Sequence, residues 1–565
     1  MNTYFGIDID KKRKELLTSK LAKPFVDDII DKANTALKKQ YMCMKMSDYM
    51  LFEEEGNRSI FEKPYFERRN DCAYISIAYW LTDDDIYIKP LIDLIFIIAD
   101  EYSWCLPAHN QITGKSPSIA DIIQTIDLFA AETARLFADI SIILENRLPY
   151  YAVERMKYEI QRRIIEPMKK YDFHWKRETN NWAAVCAGGV GIALLHFGNQ
   201  NDIDEILPQL YSSMESFLSG FGDDGCCREG YLYWNYGFGY FLLFARAILQ
   251  YTKGEVDYFK RDIVKKIAMY PQRVRLCNDK TTSFSDGKSD FSFCPGVMSF
   301  LKSLYGDEFE CPDLSLANMS GNVFAVKEFL WFDTDYKADT PKCEVVYFND
   351  AQWYIKKGKN FSFAAKGGHN NEMHNHNDVG SFIIATKQGD IPLVDFGCGV
   401  YEKNTFDNRY RYDMLVNSSR GHSVPVINGS YQCFGSEYAA SDVHWGDDFF
   451  ALNMENAYEK ECIDKIKRRF EIGNESVILK DVFESSNKTK SVTERMVSRT
   501  KPKIQSGCVD FGSLMVMFDA DRYCASYTEE TYRAQGDQED VRAYLVDYKP
   551  LKNDEKEFVF EIIIL

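Results

Sequence analysis

The chain has 565 residues, 45% of them hydrophobic and 27% charged, which is longer than one hydrophobic core usually organises and unlike a disordered chain in composition. A formal net charge of -17 excludes nucleic-acid binding through the overall field, because displacing counterions from phosphates needs a basic surface. A polyanionic glycan is repelled on average too, so an anionic substrate requires Arg and Lys concentrated locally.

The first residues, Met1 to Lys12, contain no apolar core of the kind a secretory signal needs. The apolar stretch 91–99 carries Asp93 and is too short to span a bilayer. The 15 cysteines are scattered without paired-ligand spacing apart from adjacent Cys226 and Cys227, which suits free thiols in a reducing compartment. These features predict a soluble, cytoplasmic protein without a membrane partner. Up to about residue 335 apolar residues recur at helical spacing, as in 121–129 and 240–249. From about residue 343 the period becomes two, in 345–348, 353–355 and 361–363. Lys387-Gln388-Gly389-Asp390 and Asn428-Gly429 are turn signals, the second a hairpin signal. Helices followed by strands imply separate layers, a helical domain 1–335 and an antiparallel β domain 336–565.

Histidine is scarce, 8 in all, yet His369, His374 and His376 share one short segment and His422 follows. On an extended strand the alternation His374-Asn375-His376 points both imidazoles to one face, which suits a metal site or a paired catalytic site; the alternative is a solvated polar loop. His369 and Asn371 are candidate substrate contacts in the same segment. A predicted strand over 391–397 holds a lone carboxylate, Asp395, which needs a partner in an apolar run. His376, Asp395 and His422 therefore form either a zinc shell or a hydrogen-bonded polar core. In the helical half, Asn180 and Asn181 precede a helix rich in small residues, where either could act as a cap. Further on, Asp223, Asp224, Arg228 and Glu229 precede Tyr233, Tyr236 and Tyr240, three tyrosines spaced to share one helix face.

Taken in order, 104–109, the Asn180-Asn181-Trp182 segment, the Asp224-Gly225 to Tyr236 segment and His374-Asn375-His376-Asn377-Asp378-Val379-Gly380-Ser381-Phe382 resemble the heparinase II/III superfamily of polysaccharide lyases. The last segment is the most specific, and the resemblance covers most of the chain. It implies an incomplete (α/α) toroid followed by an antiparallel β-sandwich, with a site between the two. It implies cleavage of a uronic-acid glycan, glycosaminoglycan-like or alginate-like, by β-elimination to C4–C5 unsaturated uronate ends. Asn181 matches the residue that neutralises the substrate carboxylate, Tyr236 the catalytic tyrosine with Tyr233 as the one-turn alternative, and His374 the sandwich histidine. His376, Asp395 and His422 resemble the family's structural zinc ligands; no organic cofactor is implied. His109, Asn180, Trp182, Arg228 and Glu229 fall at substrate-binding positions. Trp182 stands where several members carry a histidine, so a toroid base is absent or supplied by His109 or His174. An unperturbed tyrosine has a pKa of about 10, so a phenolate base needs a nearby cation, for which Arg228 is the candidate. In syn geometry Tyr236 serves as base and acid; in anti geometry His374 is base and Tyr236 acid. The rival readings are a glycoside hydrolase using Asp223, Asp224 and Glu229, a uronate epimerase, and an inactive glycan-binding protein. Homo-oligomerisation is left open.

Overall fold

The computed structural model describes residues 3–110, 119–277, 280–318, 325–401, 405–484, 489–535, 539–552 and 555–565. The chain forms two compact units that interleave in sequence: Met1–Gly220 with Trp234–Lys265 and Ser292–Thr340, and Phe221–Tyr233 with Lys266–Phe291 and Pro341–Leu565.

The first unit is helical. Its central helix, Asn181–Phe197, lies between the helices Leu128–Leu144 and Gly239–Tyr251 and also packs on Gln200–Ser219. The run of small residues read in the sequence has a packing cause. A side chain at Gly189 would strike the Ala131 carbonyl, and one at Gly191 would strike the Phe244 ring, so only glycine allows backbones this close. The helical spacing over 121–129 is interrupted, because the chain breaks after the helix Ile119–Gln124 and restarts at Leu128. Asp127 causes the restart: its side chain accepts from Ala130 N at 2.8 Å as an N-cap. Among the described residues no helix is long and apolar enough to cross a membrane.

The second unit is antiparallel β. One four-stranded sheet has the order Val345–Phe348, Trp353–Lys357, Phe361–Lys366, Phe382–Thr386. An eight-stranded sheet includes Lys465–Ile472 paired with Ser476–Glu484, both alternating buried and exposed, the period-two pattern of a sheet with one face on a core. Phe363, Phe382, Phe450, Phe470 and Phe560 lie in that core. Asn428 and Gly429 both take positive φ, 54° and 77°, between Ile427 and Ser430, which exchange backbone hydrogen bonds; these are the dihedral signs of a tight I′ hairpin turn. The predicted strand over 391–397 does not form: only Leu393 is bridged, to Ile384, and the rest is irregular.

Candidate active site and metal centre

Within the β unit, the segment 371–378 is a series of turns, not a strand. His374 sits at φ 55°, a left-handed conformation that costs a residue with a Cβ about 1 kcal/mol or more. The two imidazoles nonetheless converge, on one carboxylate that the sequence did not single out. Asp286 Oδ2 lies 2.5 Å from His374 Nδ1, and Asp286 Oδ1 lies 3.1 Å from His376 Nε2. Tyr401 donates its hydroxyl to Asp286 Oδ2 at 2.7 Å, and the Tyr233 hydroxyl meets that of Tyr401 at 2.5 Å. The Tyr233 ring packs on His374 with centroids 4.3 Å apart. Glu229 Oε2 lies 3.4 Å from His374 Nε2.

Asp286 is presented by a turn in which Gly287 N donates to Phe284 O and Ser285 adopts φ 56°. Ser283 Oγ on this turn donates to Asp395 O, and Cys398 N donates to Gly287 O, so the turn is fastened to the segment carrying Asp395. Burial works against the Asp286 charge, but hydrogen bonds from His374 and His376 hold its carboxyl well below the usual range. Burial likewise opposes the His374 cation, and Asp286 and Glu229 together overcome it and raise the His374 pKa. Burial pushes the Tyr233 hydroxyl well above its ordinary value, with Asp286 adding to the shift.

His376, Asp395 and His422 are fully buried, and their ligand atoms lie within 4.8 Å of one another. Asp395 Oδ2 and His422 Nδ1 are 3.0 Å apart yet lack hydrogen-bond geometry, and His376 Nδ1 has no hydrogen-bond partner. Meanwhile the outer nitrogens are engaged: His376 Nε2 faces Asp286, and His422 Nε2 donates to Val416 O at 2.9 Å. Orphaned inner atoms with satisfied outer ones are what a metal shell requires and what a hydrogen-bonded polar core avoids. The three residues can hold a metal ion.

The remaining expected residues are distributed as follows. Arg228 pairs with Glu372 at 3.7 Å, and Glu372 with Lys366 at 3.2 Å, so its charge is spent on a buried carboxylate and not on a tyrosine. His369 Nδ1 accepts from Asn371 N at 3.2 Å, closing a local turn. Asp224 accepts from the backbone of Cys226 and Asp350, a structural role, and Asp223 is exposed.

Tyr236 and Tyr240 share a face, their rings meeting edge to face at 5.9 Å, but Tyr233 does not share it and packs on His374 instead. A π-helical turn, Trp234–Phe238, separates the short helix Tyr231–Tyr233 from Gly239–Tyr251, and the extra residue per turn shifts the register. In the helical unit the buried Tyr236 interacts electrostatically with Glu132, whose carboxyl burial pushes up to about 7. Asn181 is buried beside it, and a side chain at Gly237 would crowd Asn181 Cβ at 3.1 Å. Asn180, not Asn181, is the helix cap, accepting from Trp182 N at 3.0 Å. Trp182, His109 and His174 line a cavity of about 720 Å³ in this unit. There His109 Nδ1 is 2.8 Å from Asp127 Oδ2, and the Trp182 ring lies 4.9 Å from His109 and 5.3 Å from His174.

Asp286 and Tyr401 were missed because nothing local marks them. Asp286 sits among Ser and Thr residues that read as a surface loop but are buried.

No protein-family model and no curated protein matches the sequence. Solved structures do. A mutant of a heparan sulfate lyase from Pedobacter heparinus matches at TM-score 0.61 and 15% identity, over 95% of this chain and 82% of its own. The chondroitin AC lyase of Streptomyces coelicolor A3, solved with chondroitin sulphate, matches at TM-score 0.60 and 8% identity, over 98% and 82%. A Paenibacillus xanthan lyase matches at TM-score 0.55 and 10% identity, over 98% of this chain and 59% of its own. The helical region followed by antiparallel sheets is thus the toroid-plus-sandwich fold that these polysaccharide lyases share.

Proposed function

We propose that the protein is a polysaccharide lyase that cleaves uronic-acid glycans by β-elimination, with His374 as base. The observation that carries this reading is the Asp286–His374 pair with the Tyr233 ring against it, in a fold shared with polysaccharide lyases. In the reaction a base removes the C5 proton, the electron pair becomes the C4–C5 double bond, the C4–oxygen bond breaks, and the departing oxygen takes a proton. An ionised Asp286 only accepts, so His374 Nδ1 carries hydrogen and the neutral ring offers Nε2 as acceptor. The carboxylate partners that raise the His374 pKa also make it a stronger base.

A tyrosine whose pKa is raised stays protonated at neutral pH, which suits a general acid better than a phenolate base. Tyr233 is that acid in this reading. A second reading gives the role to Tyr236, favoured by its electrostatic coupling to Glu132, a carboxyl able to exchange a proton near pH 7. Asn181 keeps the role its resemblance implies, donating its amide to the uronate carboxylate as negative charge develops there. His376, Asp395 and His422 would hold a zinc ion, which supplies structural order to the loop carrying His374. Asp224, occupied by backbone donors, and exposed Asp223 argue against a pair of hydrolytic carboxylates.

The test is ultraviolet absorbance of the unsaturated uronate during incubation with a panel of uronic-acid glycans. A rise that is lost in His374→Ala and Tyr233→Phe is the expected result. Shortened sugars without any rise would replace elimination with hydrolysis.

A further inference from the structure

The segment 405–411 of the β unit adds a surface beside His374, and the role given to it rests on the reading of His374 as base. Phe406 is 56% exposed. A single exposed phenylalanine is ordinary, but the neighbours of this one are not. Its ring meets the His374 ring edge to face, with centroids 5.6 Å apart and planes at 89°, and the Tyr401 ring at 4.9 Å and 63°. Met373, adjacent to His374 in the chain, and Tyr410, on the same segment as Phe406, are exposed as well.

One buried cation fixes where this ring sits. Arg411 donates from Nε and Nη2 to the Asn375 carbonyl at 3.1 and 2.9 Å, and from Nη1 to the Thr405 carbonyl at 3.2 Å. Asn375 follows His374 and Thr405 precedes Phe406, so a single planar guanidinium ties the backbone beside the base to the backbone beside the ring. The guanidinium also lies over the Phe406 ring, 5.6 Å from its centroid. Asp407 caps the short helix Asn408–Arg411 by accepting from Arg409 N at 3.1 Å, which holds the segment from its other side.

A sugar whose C5 hydrogen reaches His374 comes within reach of Phe406, because the two rings touch. The C–H bonds of a pyranose are its weakly positive surface and suit the negative face of an aromatic ring, whereas a uronate carboxylate is repelled by that face. Stacking therefore orients the sugar, with its C–H surface on Phe406 and its carboxylate turned away, and little motion is lost because the ring is already held. We infer that Phe406 is a sugar platform, held in register with His374 by Arg411, that takes the C–H face of the pyranose presented to the base. Arg411 is then a positioning residue.

The test uses the full-length protein and tetrasaccharides of heparosan, unsulfated chondroitin and alginate as probes. kcat and KM are measured on any probe that is cleaved, and binding is titrated calorimetrically in a His374→Ala background. Phe406→Ala should raise KM and weaken binding by about ten-fold, with kcat within about two-fold and the melting temperature unchanged. Phe406→Trp should restore both to within about three-fold; Phe406→Leu, apolar but without a π face, should not. Arg411→Lys keeps the charge and gives up the fork, so in that background Phe406→Ala should cost about three-fold or less. Binding indifferent to Phe406→Ala, binding restored by Leu as well as by Trp, or no binding of any probe would overturn the platform. An undiminished cost in Arg411→Lys would overturn its positioning by Arg411. Cleavage with an unaltered KM leaves elimination standing without the platform, whereas Phe406-dependent binding with no unsaturated product leaves the platform standing without elimination.

Discussion

Replacing Asp286 by Asn removes one charge while preserving shape, at a site where the side chain is 1% exposed and solvent screening is negligible. The carboxylate accepts from His374 at 2.5 Å and from Tyr401 at 2.7 Å, and faces His376 at 3.1 Å. An Asn has one acceptor oxygen for these groups, and its amide opposes an N–H with an N–H. Losing one charge-assisted hydrogen bond is worth about 1.5–3 kcal/mol. If the whole loss falls on the transition state, kcat drops by roughly 10- to 150-fold. The pH profile distinguishes a chemical role from a structural one. Asp286 raises the His374 pKa, so in the parent kcat/KM climbs as pH rises through a value above the ordinary one for histidine. In Asp286→Asn that acidic limb should move to lower pH while the plateau falls. The assay is initial rate by ultraviolet absorbance of the unsaturated product across pH, with metal content measured on the same sample because His376 shares the carboxylate. A variant with unchanged metal content whose limb does not move would refute the role given to Asp286.

Other perturbations probe the remaining features. Tyr233→Phe should abolish turnover with little change in melting temperature, and Tyr236→Phe should retain most of it; the opposite ranking transfers the acid role to Tyr236 and Glu132. Asp395→Ala leaves His422 buried beside an emptied position, and removing one partner of a buried pair costs about 3–5 kcal/mol; urea denaturation and elemental analysis should show lower stability and lost metal together. Chelation of the parent protein should lower its melting temperature in the same direction. Glu132 has a folded pKa of about 7 against an ordinary 4.5, so folding takes up a proton between those values and stability falls as pH rises through the window. Glu132→Gln should abolish that fall, roughly 3 kcal/mol in size, as read from urea midpoints at the two ends of the window.

Some of this molecule was legible in one dimension. Helical spacing before about residue 335 and alternation after about residue 343 identify the two layer types, because side-chain period follows from backbone geometry alone. The Asn428-Gly429 turn was equally local, since both residues tolerate positive φ. The histidine cluster was visible as composition, and so were the three residues His376, Asp395 and His422, which the fold brings together as expected.

What the fold alone decided is the wiring between those groups. Asp286 reaches His374 across 88 positions of sequence, and no local pattern encodes which distant turn will face a given side chain. The left-handed backbone at His374 replaced the expected strand, because meeting Asp286 directs the ring as strand alternation cannot. The π turn at Trp234–Phe238 parted Tyr233 from Tyr236, which simple helical counting placed on one face. Arg228 looked free to serve a tyrosine until its pairing with Glu372 was seen. Periodicity thus determined which elements form, whereas charge pairing between remote segments, set only once those elements pack, determined which side chains can act together.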